Sequence, residues 1–243
     1  MEWHARYLQQ ARWTESLRAY LFGKVGLAAA DRVLEVGCGT GAVLVDFPLK
    51  QGVFGLDISL PSIREAVRHA PDSLLVAGNG LFLPYPEAVF DVVFCHFLLL
   101  WTTNPEQVVA EMCRVTRKGG VVLALAEPDY GGRIDYPTEL SELGSWQVQS
   151  LRKQGAVPEM GRRLAGIFNR AGLKKVETGV IGGEWKRDTL AAEPDLEWQV
   201  LVEDLSGMLS PEQIRKLGDQ DRDAWKQGER VLYVPTFYAW GMV

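Results

Sequence analysis

Residues 33–41 read VLEVGCGTG, and a second short β-type run at residues 53–57 ends on Asp57 within GLDIS. No other feature constrains the fold as much. Gly37, Gly39 and Gly41 follow a strand, where a missing Cβ lets the backbone turn tightly and come close to a ligand. Asp57 lies about 20 residues beyond Gly37, the spacing at which a carboxylate at the tip of the next strand can accept both ribose hydroxyls of an adenosine. A glycine turn alone is a weak sign. Strand, turn, strand and terminal carboxylate in this order are a much stronger one.

The alternation continues along the chain. Residues 3–21 carry an approximate helical stripe, and residues 42–47 read as a short helix stopped by Pro48. Ser59 and Pro61 start a helix to about Ala70, and Asn104, Pro105 and Gln107 start another that runs to Arg117 before Gly119 and Gly120. Strands are expected at 32–36, 53–57, 74–77, 90–95 and 121–126, the last almost wholly apolar and therefore central in a parallel sheet. Residues 160–171 read as a helix and 174–181 as a sixth strand. Residues 184–229 read as helical with a capping box at Ser210, and 231–243 as a seventh strand. Strands alternating with helices predict a doubly wound α/β fold. We expect one domain over 1–243: an N-terminal helical segment (1–30), a core (31–183), a helical insertion or lid (184–229) and a final strand (230–243).

The electrostatics of the turn bear on the ligand. A dinucleotide site has G-x-G-x-x-G with a pyrophosphate at the helix start, whereas this turn is G-x-G-x-G with Glu35 two residues before it. A carboxylate there repels a pyrophosphate and suits an ammonium and a sulfonium centre. That favours S-adenosylmethionine. VLEVGCGTG, GLDIS, FDVVFCHFLLLW and EMCRVTRKGG together resemble the motifs of class I methyltransferases of the small-molecule "type 11" group, in the right order from about Val33 to Glu127.

The resemblance implies a Rossmann-like sheet of about seven strands, mostly parallel with an antiparallel last strand, and a helical insertion between the last two. It implies that Glu35, Gly37, Cys38, Gly39 and Gly41 line the methionine part of the cofactor. Asp57 would hold the ribose and Ile58 cover the adenine. Asn79 stands where the family usually has Asp, with Gly80 and Leu81 beside the adenine; Cys95, His96 and Phe97 would face the methyl donor.

Beyond the cofactor, His96 at a central strand end is a candidate base, or equally a packing or orienting residue. The segment AEPDYGGRIDYP gathers Glu127, Asp129, Tyr130, Arg133, Asp135 and Tyr136 at the same edge, either as a substrate loop with Asp129 and Tyr130 as catalytic candidates, or as a solvated turn. Trp3, Tyr7, Arg12 and Trp13 either close over the cofactor, with Arg12 near its carboxylate, or pack in the core. Trp185, Trp198 and Trp225 either form an apolar lid or simply pack.

The formal charge of −5 argues against a nucleic-acid partner, and Cys38, Cys95 and Cys113 form no zinc or disulfide pattern, so no metal is expected. The polar N-terminus is no signal peptide and no apolar run spans a membrane, so the expectation is a cytoplasmic protein with a small-molecule acceptor and an open oligomeric state. Three other classes compete with this reading. They are a nucleic-acid or protein methyltransferase, for which HFLLLW replaces the usual Asn/Asp-Pro-Pro-aromatic motif; a non-catalytic cofactor-binding module; and an NAD-dependent oxidoreductase.

Overall fold

Alternate side chains of the central strands enter two different cores, and for that reason these strands read as nearly unbroken apolar runs. In β4 (Phe90–Cys95), Val92 and Phe94 face one core while Val93 and Cys95 face the other. The structure, a computed structural model, describes residues 3–49, 51–181 and 194–243. Its main sheet also holds β1 (Val33–Val36), β2 (Val53–Asp57), β3 (Leu74–Ala77), β5 (Thr116–Pro128), β7 (Lys174–Ile181) and β9 (Thr236–Met242). The order is β3-β2-β1-β4-β5-β9-β7. The first five strands pair in parallel, and β9 is antiparallel to both β5 and β7. The expected seven-stranded sheet is therefore present.

One core lies under α4 (Pro105–Val115) and α6 (Met160–Arg170), where Val108, Met112, Leu164 and Phe168 meet Leu34, Val93 and Val122. The opposite core joins α2 (Glu15–Lys24) and α3 (Leu60–His69) to the sheet through Leu21, Phe22 and Ile63, with Phe47 stacked on Phe94. Ser59 and Asn104 cap α3 and α4 as expected, their side chains accepting from the N–H groups of Ser62 and Gln107.

Four elements differ from the sequence reading. The N-terminal stripe is broken at Thr14 into α1 (Trp3–Trp13) and α2, and α1 turns Arg6, Gln9 and Ala11 inward while Trp3 and Trp13 stay exposed. Residues 42–46 form consecutive turns and Phe47 is irregular, so the expected helix over 42–47 does not form. The run is too short to nucleate between Gly41, at φ +82°, and Pro48, and it holds two β-branched valines. Helix α4 ends at Val115, and β5 starts at Thr116. The final run is two strands. β8 (Val231–Tyr233) pairs with a strand the sequence reading lacked, β6 (Ile134–Tyr136), and the chain rejoins the main sheet only after Pro235, which has no N–H to give a ladder.

Between β7 and β8 come α7 (Pro194–Leu205) and α8 (Pro211–Gln227), the latter opened by the expected Ser210–Gln213 capping box. They pack with α5 (Leu143–Lys153) around Leu140, Leu143, Leu201, Leu205 and Ile214. Charge also ties this region together. Arg133 and Arg230 both bond Asp135, and Arg230 also bonds Asp221 at 2.7 Å, with both arginine side chains fully buried. Among the described residues no helix is long and apolar enough to cross a membrane.

Candidate active site

The glycine turn leaves β1 at the carboxyl edge of the sheet. The N–H groups of Gly37 and Cys38 both donate to Leu56 O, at 2.7 and 3.0 Å, so the turn is pinned to β2. Gly37 has φ +78°, and a Cβ there would lie 2.7 Å from Leu98 Cδ1, so only glycine fits without rearrangement. The Cys38 thiol is buried, and it packs where Gly55 lacks a side chain; only its backbone belongs to the turn. The Asp57 carboxylate accepts from Gly39 N–H at 2.9 Å and from Ser59 N–H at 2.8 Å. Two carboxylate oxygens offer about four acceptor positions, so two bonds leave capacity for a diol.

Glu35 is buried, and its Oε2 has no hydrogen-bond partner. Burial pushes its carboxyl up to about 8, nearby Arg18 pulls it down, and Asp57 adds to the rise. An uncompensated buried carboxylate is costly unless a cation arrives. The fold thus holds an acceptor for positive charge beside a carboxylate suited to a diol.

At the end of β4, Cys95 is fully buried and its thiol is pushed well above the usual range by burial. His96 Nε2 shares a 2.9 Å hydrogen bond with Thr14 Oγ1, and burial, helped by the Arg18 charge, lowers its pKa to about 3. Such an imidazole stays neutral near pH 7. Phe97 sits at φ +52°, a strained setting for an aromatic residue, and its N–H donates to Ala126 O at 2.9 Å. The backbone beyond is fixed by Glu127, whose carboxylate accepts from the N–H groups of Leu98, Leu99 and Leu100 at 2.8–3.1 Å. Burial raises Glu127 to about 7 against the pull of those three bonds.

After β3, Asn79 Oδ1 accepts from Leu81 N–H at 2.9 Å, forming a local turn around Gly80. Ile58 is 74% exposed, and Phe82, which the sequence reading passed over, is 72% exposed. Both follow strands at the carboxyl edge, where an apolar ligand face would cover them.

The polar segment after β5 is largely committed to structure. Asp129 is buried and receives Arg162 Nη2 at 2.7 Å, with Arg162 Nε on its other oxygen. Arg133 and Asp135 belong to the buried charge network, and Glu127 to the turn over β4. These carboxylates are thus not the solvated groups of a simple turn, because Arg162 of α6 and Arg230, just before β8, reach Asp129 and Asp135 across the fold. Tyr130 is half-buried against the α4–α6 core, its N–H donating to Pro158 O. Trp198 packs on Gly218, and Trp225 lies under the Arg230 guanidinium; Trp185 lies outside the described residues.

Two contributors were not legible as such: Thr14 and Arg18 act on His96 and Glu35. The Tyr7 ring, one of the aromatics expected to close over the cofactor or pack, lies where a Cβ on Gly39 would meet it at 3.4 Å. The Tyr7 phenol is pushed up by burial, then by Asp57 and Glu65. Arg12, expected near a ligand carboxylate, is exposed; Arg6 is the buried cation of α1.

Residues 34–124 match the family described as "Methyltransferase domain". The chain is 34% identical over 126 residues to the demethylmenaquinone methyltransferase of Renibacterium salmoninarum, covering 51% of this chain and 52% of that protein. It is 28% identical to the enzyme of the same name from Bacillus licheniformis, covering 74% and 88%. The chain spans about half the length of the first curated relatives it matches. Its fold is similar to that of phospholethanolamine N-methyltransferase 2 of Haemonchus contortus, solved with S-adenosylhomocysteine, at a TM-score of 0.58 and 16% identity over 87% of this chain and 48% of that one.

Proposed function

We propose that this chain, whose residues 34–124 match the family described as "Methyltransferase domain", transfers a methyl group from S-adenosylmethionine to a small-molecule acceptor. The observation that carries this reading is the buried, unpartnered Glu35 oxygen, set beside the Asp57 carboxylate with the glycine turn between them. Glu35 would meet the cofactor's ammonium and Asp57 its ribose. Gly37, Gly39 and Gly41 would line the methionine part through their backbone, and Ile58, Asn79, Gly80 and Leu81 would line the adenine. Cys95 is buried in the strand, so the groups left to face the donor are His96 and Phe97.

When bound, the cofactor supplies a methyl carbon already activated by its sulfonium. The chain's own part is positioning the acceptor and excluding water. His96, held neutral and bonded to Thr14, orients it; Glu127 fixes the Leu98–Leu100 backbone beside it; Asp129, through Arg162, holds the loop that carries Tyr130 to the acceptor side. The pairing of β6 with β8 ties the segment after β5 to the strand that follows the 184–229 insertion, which supports an acceptor-side role for the insertion. A cytoplasmic setting accords with three free cysteines.

The test is incubation with methyl-labelled S-adenosylmethionine and candidate acceptors. The relatives' names make a demethylated menaquinol the first compound to try. Labelled product with equimolar S-adenosylhomocysteine is expected; neither appearing across a broad metabolite pool contradicts the proposal.

A further inference from the structure

Two of the chain's three histidines meet on the outer side of the glycine turn. His4 of α1 and His69 of α3 stack with ring centroids 3.6 Å apart and planes 10° from parallel. Glu65 stands four residues before His69, hence on the same helix face, with its Oε1 3.8 Å from His69 Nε2. One donor atom from each of the three lies within 4.8 Å of the others, and all three side chains are half-buried. His4 Nδ1 is also bonded at 2.7 Å to Thr40 Oγ1, inside the turn itself.

We propose that His4, Glu65 and His69 form a binding site for a divalent ion of the zinc class, which fastens α1 to α3 beside the glycine turn. Two imidazoles and one carboxylate are a donor set that such ions favour, and partial exposure leaves a fourth position for water. Around a tetrahedral ion at about 2.1 Å the donors stand about 3.4 Å apart. The cluster therefore closes by up to about 1.4 Å and the stacked rings splay as the ion enters. The Thr40 bond supplies the kind of outer contact that orients a ligating histidine. Between this cluster and the proposed cofactor site lies Tyr7, which packs over Gly39 and feels both Glu65 and Asp57. A bound ion thus holds the helix that covers the turn, and metal and cofactor should strengthen each other's binding by the same factor.

The experiment uses tag-free full-length protein stripped with a chelator, then titrated with zinc chloride against a chromophoric chelator and with cobalt(II) followed by absorbance. One ion per chain is expected, with cobalt bands of a nitrogen–oxygen site and no intense thiolate charge-transfer band. His4→Ala and His69→Ala should each weaken zinc binding at least tenfold, and Glu65→Gln less. His4→Gln and His69→Gln, checked for native circular dichroism, guard against a folding defect. No binding, a thiolate spectrum, or zinc affinity unchanged in the folded histidine variants overturns the proposal. The readout needs no methyl transfer, so its failure leaves the proposed activity standing, and the reverse also holds.

Discussion

A buried carboxylate oxygen that accepts no hydrogen bond is a cost the free protein carries, and Glu35 makes that cost dependent on pH. Its ordinary value of 4.5 rises to about 8 on folding, so the folded state holds a proton that the unfolded chain gives up. The associated stability is complete below 4.5 and is lost as pH climbs through about 8. Glu35→Gln should therefore leave ligand-free stability near wild type at pH 5 and raise it by about 1–3 kcal/mol at pH 9, measured by urea denaturation. It should also flatten the rise in S-adenosylhomocysteine affinity expected of the wild type as Glu35 ionises. The type and place of Glu35 were legible in the sequence because local spacing sets them. The state of His96 was not, since it depends on desolvation and on Arg18, far earlier in the chain. The same holds for Asp129 and Asp135, which meet Arg162 and Arg230 across separations of 33 and 95 residues.

At the level of elements, local chemistry carried most of the reading. The caps at Ser59, Asn104 and Ser210 and the apolar β5 were all legible because each signal lies within a few residues. One miss came where a tertiary partner decides, another where a local run was too short. Residues 134–136 become a strand only because residues 231–233 pair with them, and 42–46 stay as turns because the helix has no room. The turn after β4 has a similar long-range dependence on Glu127. Glu127→Ala leaves the N–H groups of Leu98, Leu99 and Leu100 without their acceptor, at about 1–3 kcal/mol for each group that stays dry. The variant should lose about 2–4 kcal/mol by thermal or urea denaturation. Hydrogen exchange should show the loss of protection concentrated at residues 97–101. Uniform loss across the sheet would contradict the capping role.

Across the whole molecule, the sheet and the insertion are held by different forces. The sheet has an apolar core on each face, whereas the insertion combines a small apolar cluster with the Arg133–Asp135–Arg230–Asp221 network. Removing one partner of a buried pair strands the other charges, at about 3–5 kcal/mol. Arg230→Ala should thus melt α7, α8 and the β6–β8 pair before the sheet, seen as early proteolysis there while binding of S-adenosylhomocysteine persists. Both forces serve a site whose central element is the carboxyl edge of β1 and β2. Isothermal calorimetry with S-adenosylhomocysteine addresses that element directly. The account predicts one site per chain in the wild type, with affinity at least tenfold weaker in Asp57→Ala, since the charge-assisted bonds to a diol are worth about 1.5–3 kcal/mol each. No heat with the wild type, or equal affinity in folded Asp57→Ala, would contradict it.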